Sequence, residues 1–216
     1  MQPQSKRGPD VRQKHFIDSN KAATAFIVLV LMAFYSQWRN PTAWVYLALH
    51  GTYGFLWVLK GRIFPDRSWE EKTGLAYGLV IWVALCLYWV TPWLITSQNI
   101  QAPPWYLALC ISIYAFGVFT HFASDMQKTT ALQLRPGELI TTGMFSRLRN
   151  PNYFGELLIY GGFGLLAMHW LPLVILLVWV GFYWIPRMFR KERVLAQLPG
   201  FNQYKAHSKL FIPFVY

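Results

Sequence analysis

Acidic residues and cysteines are scarce in this chain. Nine Asp and Glu among 216 residues, with charged residues at 13% overall, are too few to solvate an ordinary globular surface. The two cysteines, Cys86 and Cys110, both lie inside apolar runs; that excludes a disulfide framework or a thiolate metal cage and leaves them as small buried hydrophobes. The sequence has no glycine-rich strand-to-helix fingerprint, Walker loop, zinc-ligand spacing or nucleophile elbow, and no metal site is expected. Internal repeats, low-complexity tracts and inverted-topology halves are also missing, which argues against a secondary transporter. A nucleotide bound by such a chain has to sit in a pocket built from helix ends and loops.

Apolar residues fill the rest. Hydrophobic residues make up 55% and aromatics 18%, a composition that excludes a disordered chain and points to an all-α polytopic membrane protein. About six transmembrane helices are expected, near 22–38, 42–59, 73–95, 104–123, 153–168 and 170–185, within a single membrane-embedded domain over 22–216 that follows a cytosolic segment at 1–21. No small-residue cleavage site ends the first run, so it is expected to be retained. Pro92 removes a backbone donor and predicts a kink or an early end in the third span. The fifth and sixth spans form a tight hairpin around His169. From Arg187 the tail over 187–216 turns basic, and RMFRKERVL predicts an amphipathic helix on the membrane surface before a turn at Pro199 and Gly200; LFIPFVY, 210–216, then packs back on the spans.

The net charge of +11 is concentrated in the connections. Six spans put 19 of the 20 Lys and Arg on one side, with Arg39 alone opposite, and all nine acids on the basic side. The positive-inside rule makes that side cytosolic, with both termini in the cytosol of a bacterial inner membrane or the endoplasmic reticulum. Membrane lipids and a lipid-soluble small molecule are the expected partners, and nucleic acid is not.

Three constellations carry polar chemistry. RLRNPNYFGE, 147–156, predicts a helix capped by Asn150 with Pro151 at its first position; its free amides at Asn152 and Tyr153, flanked by Arg147 and Arg149, make an anion site, and Glu156 lies a turn inside. His121, Asp125 and Lys128 share a face at the end of the fourth span. His50, Tyr53, Trp57 and Lys60 share a face of the second, leading to Gly61 and Arg62.

The stretch from Ser124 to Glu156 resembles the C-terminal domain of the steroid 5-alpha-reductase family, the ending KLFIPFVY resembles the same enzymes and the sterol reductases, and HGTYGFLWVLKGRIFP, 50–65, is similar to a second stretch of that family. The resemblance implies a membrane reductase taking hydride from NADPH to a carbon–carbon double bond of a steroid-, sterol- or enoyl-like lipid. It implies that Asp125, Asn152 and Glu156 hold the nicotinamide and ribose end, that Arg62 and Arg135 lie near the adenosine and phosphates, that Arg193 falls on the basic tail helix and that Lys128 matches the sterol-reductase lysine. With Arg149 and Tyr153 at the anion site, these make up the expected cofactor set. The family's substrate-binding tyrosine is replaced by Ala48 and its glutamate on an earlier helix is missing, so Tyr53 or His50, with Glu156, is expected at the reacting centre.

RNPNYFGE followed by KERVL also resembles the isoprenylcysteine and phospholipid methyltransferases, with Asn150 where their pattern has histidine and Lys191–Glu192 where it has paired glutamates. That resemblance implies S-adenosylmethionine as the alternative cofactor. A non-enzymatic protein holding anionic lipids on its basic face is the third possibility.

Overall fold

A computed structural model describes residues 11–66 and 69–214. Lys6, Arg7, Arg67 and the end of the LFIPFVY segment lie outside the described residues. Within them the chain is all-α, with no strand: α1 (Gln13–Phe34), α2 (Pro41–Tyr46), α3 (Thr52–Ile63), α4 (Leu75–Leu85), α5 (Val90–Ser97), α6 (Pro104–Leu134), α7 (Pro151–Leu165), α8 (Trp170–Trp179), α9 (Ile185–Leu195) and α10 (Phe201–His207).

Four helical runs are long and apolar enough to cross a bilayer: 13–34, 75–97, 104–134 and 170–195. The molecule is therefore a polytopic membrane protein. The other two expected spans fall on the unbroken helical run 41–63 and on α7, whose 15 residues reach about 22 Å at 1.5 Å per residue. Neither is among the four.

The first helix begins at Gln13, nine residues before the apolar run at Ala22. Hydropathy misses these two and a half turns because their polar side chains find partners inside the protein. Arg12 and Lys14 both bind Glu70, the latter at 2.7 Å. Trp57 Nε1 donates to Asp18, Asn20 donates to the Trp82 carbonyl, and Lys21 donates to the Tyr160 hydroxyl. Backbone bonds from Gln13 to Glu71 and from Thr73 to Val11 tie the same end to the loop before α4.

The expected irregularity at Pro92 appears one turn earlier. Residues Cys86–Trp89 form a 3₁₀ turn joining α4 to α5. Proline has no N–H for the carbonyl four residues back, that of Tyr88, and the Tyr46 hydroxyl donates to that carbonyl at 3.3 Å. The hairpin between α7 and α8 turns at Met168, where φ is +48°, and His169 caps α8 by accepting from Leu171 N–H at 3.1 Å.

Helices α6 and α7 meet backbone to backbone. A Cβ on Gly155 would lie 2.4 Å from the His121 nitrogen, and one on Gly117 would lie 2.7 Å from the Ile159 nitrogen. This approach brings the polar end of α6 against the start of α7.

The tail does not begin a separate surface helix at Arg187. A π-helical turn, Val180–Trp184, carries α8 directly into α9, and Gly200, at φ +79°, then opens α10. Leu210 and Phe211 are buried, and Lys209 pairs through its backbone with Arg147 and Arg149, so the chain does return to the spans.

Candidate functional site

A cavity of about 260 Å³ lies among α1, α3, α4, α6, α7 and the π-turn into α9. Its apolar wall comes from Val80, Ile81, Ala84 and Leu85 of α4, and its aromatic wall from Trp57, Trp69, Tyr88, Tyr153, Tyr160, Trp179, Tyr183 and Trp184. Three cations, Lys21, Lys60 and Arg187, face three carboxylates, Asp66, Asp125 and Glu156. A small hollow of about 30 Å³ adjoins it, sharing Trp57, Lys60, Asp66 and Trp69.

At the floor, Lys60 of α3 donates to the buried Asp125 of α6, which also accepts from Lys128 at 3.2 Å. His121, one turn before Asp125, has Nδ1 3.1 Å from the Asn152 carbonyl and Nε2 3.5 Å from Lys60 Nζ. A carbonyl only accepts and an ammonium only donates, so these contacts assign the proton to Nδ1 and the lone pair to Nε2.

Lys21 enters from α1, and its Nζ lies 4.6, 4.7 and 5.2 Å from the ring centres of Tyr53, Trp57 and Tyr160. It makes no ion pair within 4 Å among the described residues; the aromatic faces and the 2.7 Å bond to the Tyr160 hydroxyl hold its charge. Glu156, one helical turn before Tyr160, has no hydrogen-bond partner among the described residues and faces the same space. Outside the spans, Lys14 and then Arg12 bind the Glu70 carboxylate beside the small adjoining hollow and hold it below the usual carboxylate range.

Of the residues expected from sequence, the cavity collects Asp125, Asn152, Tyr153 and Glu156, together with Trp57, Lys60 and His121 of the polar helix faces. The others lie elsewhere. His50 is buried away from it, bonded through Nδ1 to the Tyr46 hydroxyl at 2.6 Å and stacked on Phe163 at 4.1 Å. Tyr53 lies beneath Lys21, behind the lining. Arg62 and Arg193 are exposed, and Arg135 is exposed beside Glu138. Lys128 bridges Asp125 and Asp66.

Arg149 is the largest departure. It is buried, ion-paired with Glu192 and bonded to the Ser208 carbonyl, so it is not a free cation at a helix start. Asn150 makes no side-chain cap; its amide donates to the Leu210 carbonyl and its oxygen accepts from Lys191 at 3.0 Å. The N-terminus of α7, α9 and the C-terminal segment are thus clasped together. Sequence reasoning missed Lys21, Tyr160, Trp69 and Arg187, because α1 and the loop before α4 meet the site only through the fold. An ionisable Lys21 at the edge of an apolar run was the available signal.

Residues 106–200 match the family model of the phospholipid methyltransferases. The matched stretch, a little under half of the chain, runs from α6 to the turn before α10 and contributes Asp125, Asn152, Tyr153, Glu156, Tyr160 and Arg187 to the cavity. None of the curated proteins matches the chain.

This match overturns the expectation of an NADPH-dependent reductase acting on a CH–CH group: the matched family transfers methyl groups. The site's charge agrees with the correction. NADPH brings a diphosphate and a 2′-phosphate, whereas the formal charges lining the cavity cancel and the arginines expected at those phosphates are ion-paired or outside the lining.

Proposed function

We propose that the protein is an integral membrane methyltransferase that uses S-adenosylmethionine and methylates a lipid-soluble acceptor. The match of residues 106–200 carries this reading, and the site's chemistry supports it. When bound, S-adenosylmethionine supplies an electrophilic methyl group on a sulfonium. The fit rests on Glu156, a carboxylate with no hydrogen-bond partner among the described residues and set among aromatic faces, which is the environment a sulfonium seeks. Glu156, Tyr153, Tyr160 and Trp184 would hold the sulfonium end, while Asn152 offers an amide for hydrogen bonding.

The chain's own groups position the acceptor and exclude water. Apolar residues of α4 give a hydrocarbon chain a surface to lie on, and the charged floor receives the polar end. The six-span topology with both termini in the cytosol belongs to the same proposal, and it puts the charged end of the cavity on the cytosolic side, where a water-soluble cofactor is available. NADPH, steroid and sterol have no part in it.

The deciding measurement is the thermal midpoint of the detergent-purified protein with and without S-adenosylmethionine, followed by transfer of a labelled methyl group into a membrane lipid extract. At 100 times the dissociation constant the ligand adds about 2.7 kcal/mol, a rise of a few degrees. An unmoved midpoint together with unlabelled lipid would overturn the assignment.

A further inference from the structure

Most cations near the site are paired. Lys60 has Asp125, Lys128 has Asp125 and Asp66, Arg149 has Glu192, and Arg12 and Lys14 have Glu70. Arg187 lines the cavity and makes no ion pair within 4 Å among the described residues. Its guanidinium carbon lies 4.7 Å from the Trp69 ring centre and 5.2 Å from that of Tyr183, and it donates to the Tyr183 hydroxyl at 3.0 Å. Both rings lie within cation–π reach, and the Tyr183 and Tyr153 hydroxyls take part of the donor set, which leaves further guanidinium N–H donors for an acceptor.

The depth of Arg187 says which acceptor. It is the first charged residue after the apolar run that starts at Trp170, where the sequence changes to RMFRKERVL. Tyr77, Trp69 and Tyr183 surround this end of the cavity as an aromatic belt marks a headgroup level. From there the wall runs inward over Val80, Ala84 and Leu85, which are apolar.

We infer that Arg187 is the seat for the oxyanion of a lipid headgroup, phosphate above all, with the lipid's chain lying along α4. Two N–H donors of a guanidinium fit two phosphate oxygens in a geometry that a lysine cannot copy. The inference rests on the methyltransferase reading for the claim that the lipid so held is the methyl acceptor. Arg187 is then a specificity residue, gripping the acceptor's anionic group at a distance from the methyl group.

The experiment compares two short-chain probes that differ only in the oxyanion, dioctanoyl phosphatidic acid and dioctanoylglycerol, on the full-length protein in detergent. Affinities are measured for wild type, Arg187→Gln, Arg187→Lys and Arg190→Gln, the last changing an exposed arginine on the same helix. Wild type should bind the phosphatidic acid at least about tenfold more tightly than the glycerol. Arg187→Gln should lose that preference, Arg187→Lys should keep part of it, and Arg190→Gln should keep it all. S-adenosylmethionine affinity should be unchanged in Arg187→Gln.

Loss of S-adenosylmethionine binding in Arg187→Gln, with an unchanged thermal midpoint, would assign the guanidinium to the cofactor's carboxylate and overturn the proposal. Equal losses in Arg187→Gln and Arg190→Gln would reduce the effect to surface charge and overturn it too. If wild type binds no S-adenosylmethionine at all, the methyltransferase reading fails, while the two lipid affinities still decide whether Arg187 holds an oxyanion.

Discussion

Lys60 and Asp125 are buried against each other where α3 meets α6, so the polar end of the cavity is built on an ion pair between two helices. The pair joins a helix outside the methyltransferase-like stretch to one inside it. Removing one charge leaves the other enclosed, which costs about 3–5 kcal/mol, whereas removing both and filling the space costs far less. Asp125→Asn should therefore lower the thermal midpoint strongly and Lys60→Met/Asp125→Leu only mildly. A double variant as unstable as the single one would show that the charges themselves are required.

The contact between α6 and α7 makes a sharper stability prediction. Gly155→Ala places a methyl group 2.4 Å from the His121 backbone, where no side chain can move aside, and should cost about 3 kcal/mol. Gly161, on the same helix, has nothing within 4 Å of its Cβ direction, and Gly161→Ala should be neutral or slightly stabilising because alanine favours helix. The check is the difference between the two denaturation midpoints in one detergent.

Much of the fold and part of the site were legible in the sequence. Long apolar runs, the proline at 92 and the turn at Gly200 are local signals, and the structure places helices, a 3₁₀ turn and a chain reversal at or beside them. Asp125, Asn152 and Glu156 were legible because they interrupt apolar or helix-start patterns. Arg149 was not: a basic residue before a helix start reads as an anion site, and only the fold reveals Glu192, 43 residues later, in its place. Lys21 was hidden for the opposite reason. Its aromatic partners come from α3 and α7, so nothing near it in sequence marks it as part of a cavity.

Acid should loosen the N-terminal end of α1 before the rest. Lys14 and Arg12 depress the Glu70 pKa, so their contribution is fully present above the unfolded carboxylate value of 4.5 and is lost as pH falls through the lower folded value. Glu70→Gln should remove that dependence. Hydrogen exchange at residues 13–20, followed from pH 7 downward, should show protection falling in wild type and already low and flat in the variant.

Tyr46 and Pro92 should be coupled although they do not bond to each other. The Tyr46 hydroxyl donates to the Tyr88 carbonyl, which Pro92 cannot serve and which keeps a backbone bond only from the end of the 3₁₀ turn, and it also meets His50. Tyr46→Phe removes one donor from that carbonyl and leaves His50 Nδ1 without its hydroxyl partner, and should cost about 1–3 kcal/mol. In a Pro92→Ala background the restored N–H can take the carbonyl, and the same change should cost less. A double-mutant cycle reads the coupling, and strict additivity would mean that the hydroxyl does not compensate the proline.

Glu156 gives the most direct reading of the chemistry, because its carboxylate faces the cavity without a hydrogen-bond partner among the described residues. Glu156→Gln keeps the shape and removes the charge, so the fold should tolerate it; burying a neutral amide is no harder than burying a carboxylate. S-adenosylmethionine carries a sulfonium and its demethylated product, S-adenosylhomocysteine, does not, while both share the adenosine, ammonium and carboxylate. If Glu156 faces the sulfonium, the variant should lose about 10- to 100-fold in affinity for the first and little for the second. Equal losses for both ligands would move Glu156 to the ammonium group, and no loss for either would take it out of the binding site. Calorimetric titration of wild type and variant with each ligand separates these outcomes without knowledge of the acceptor.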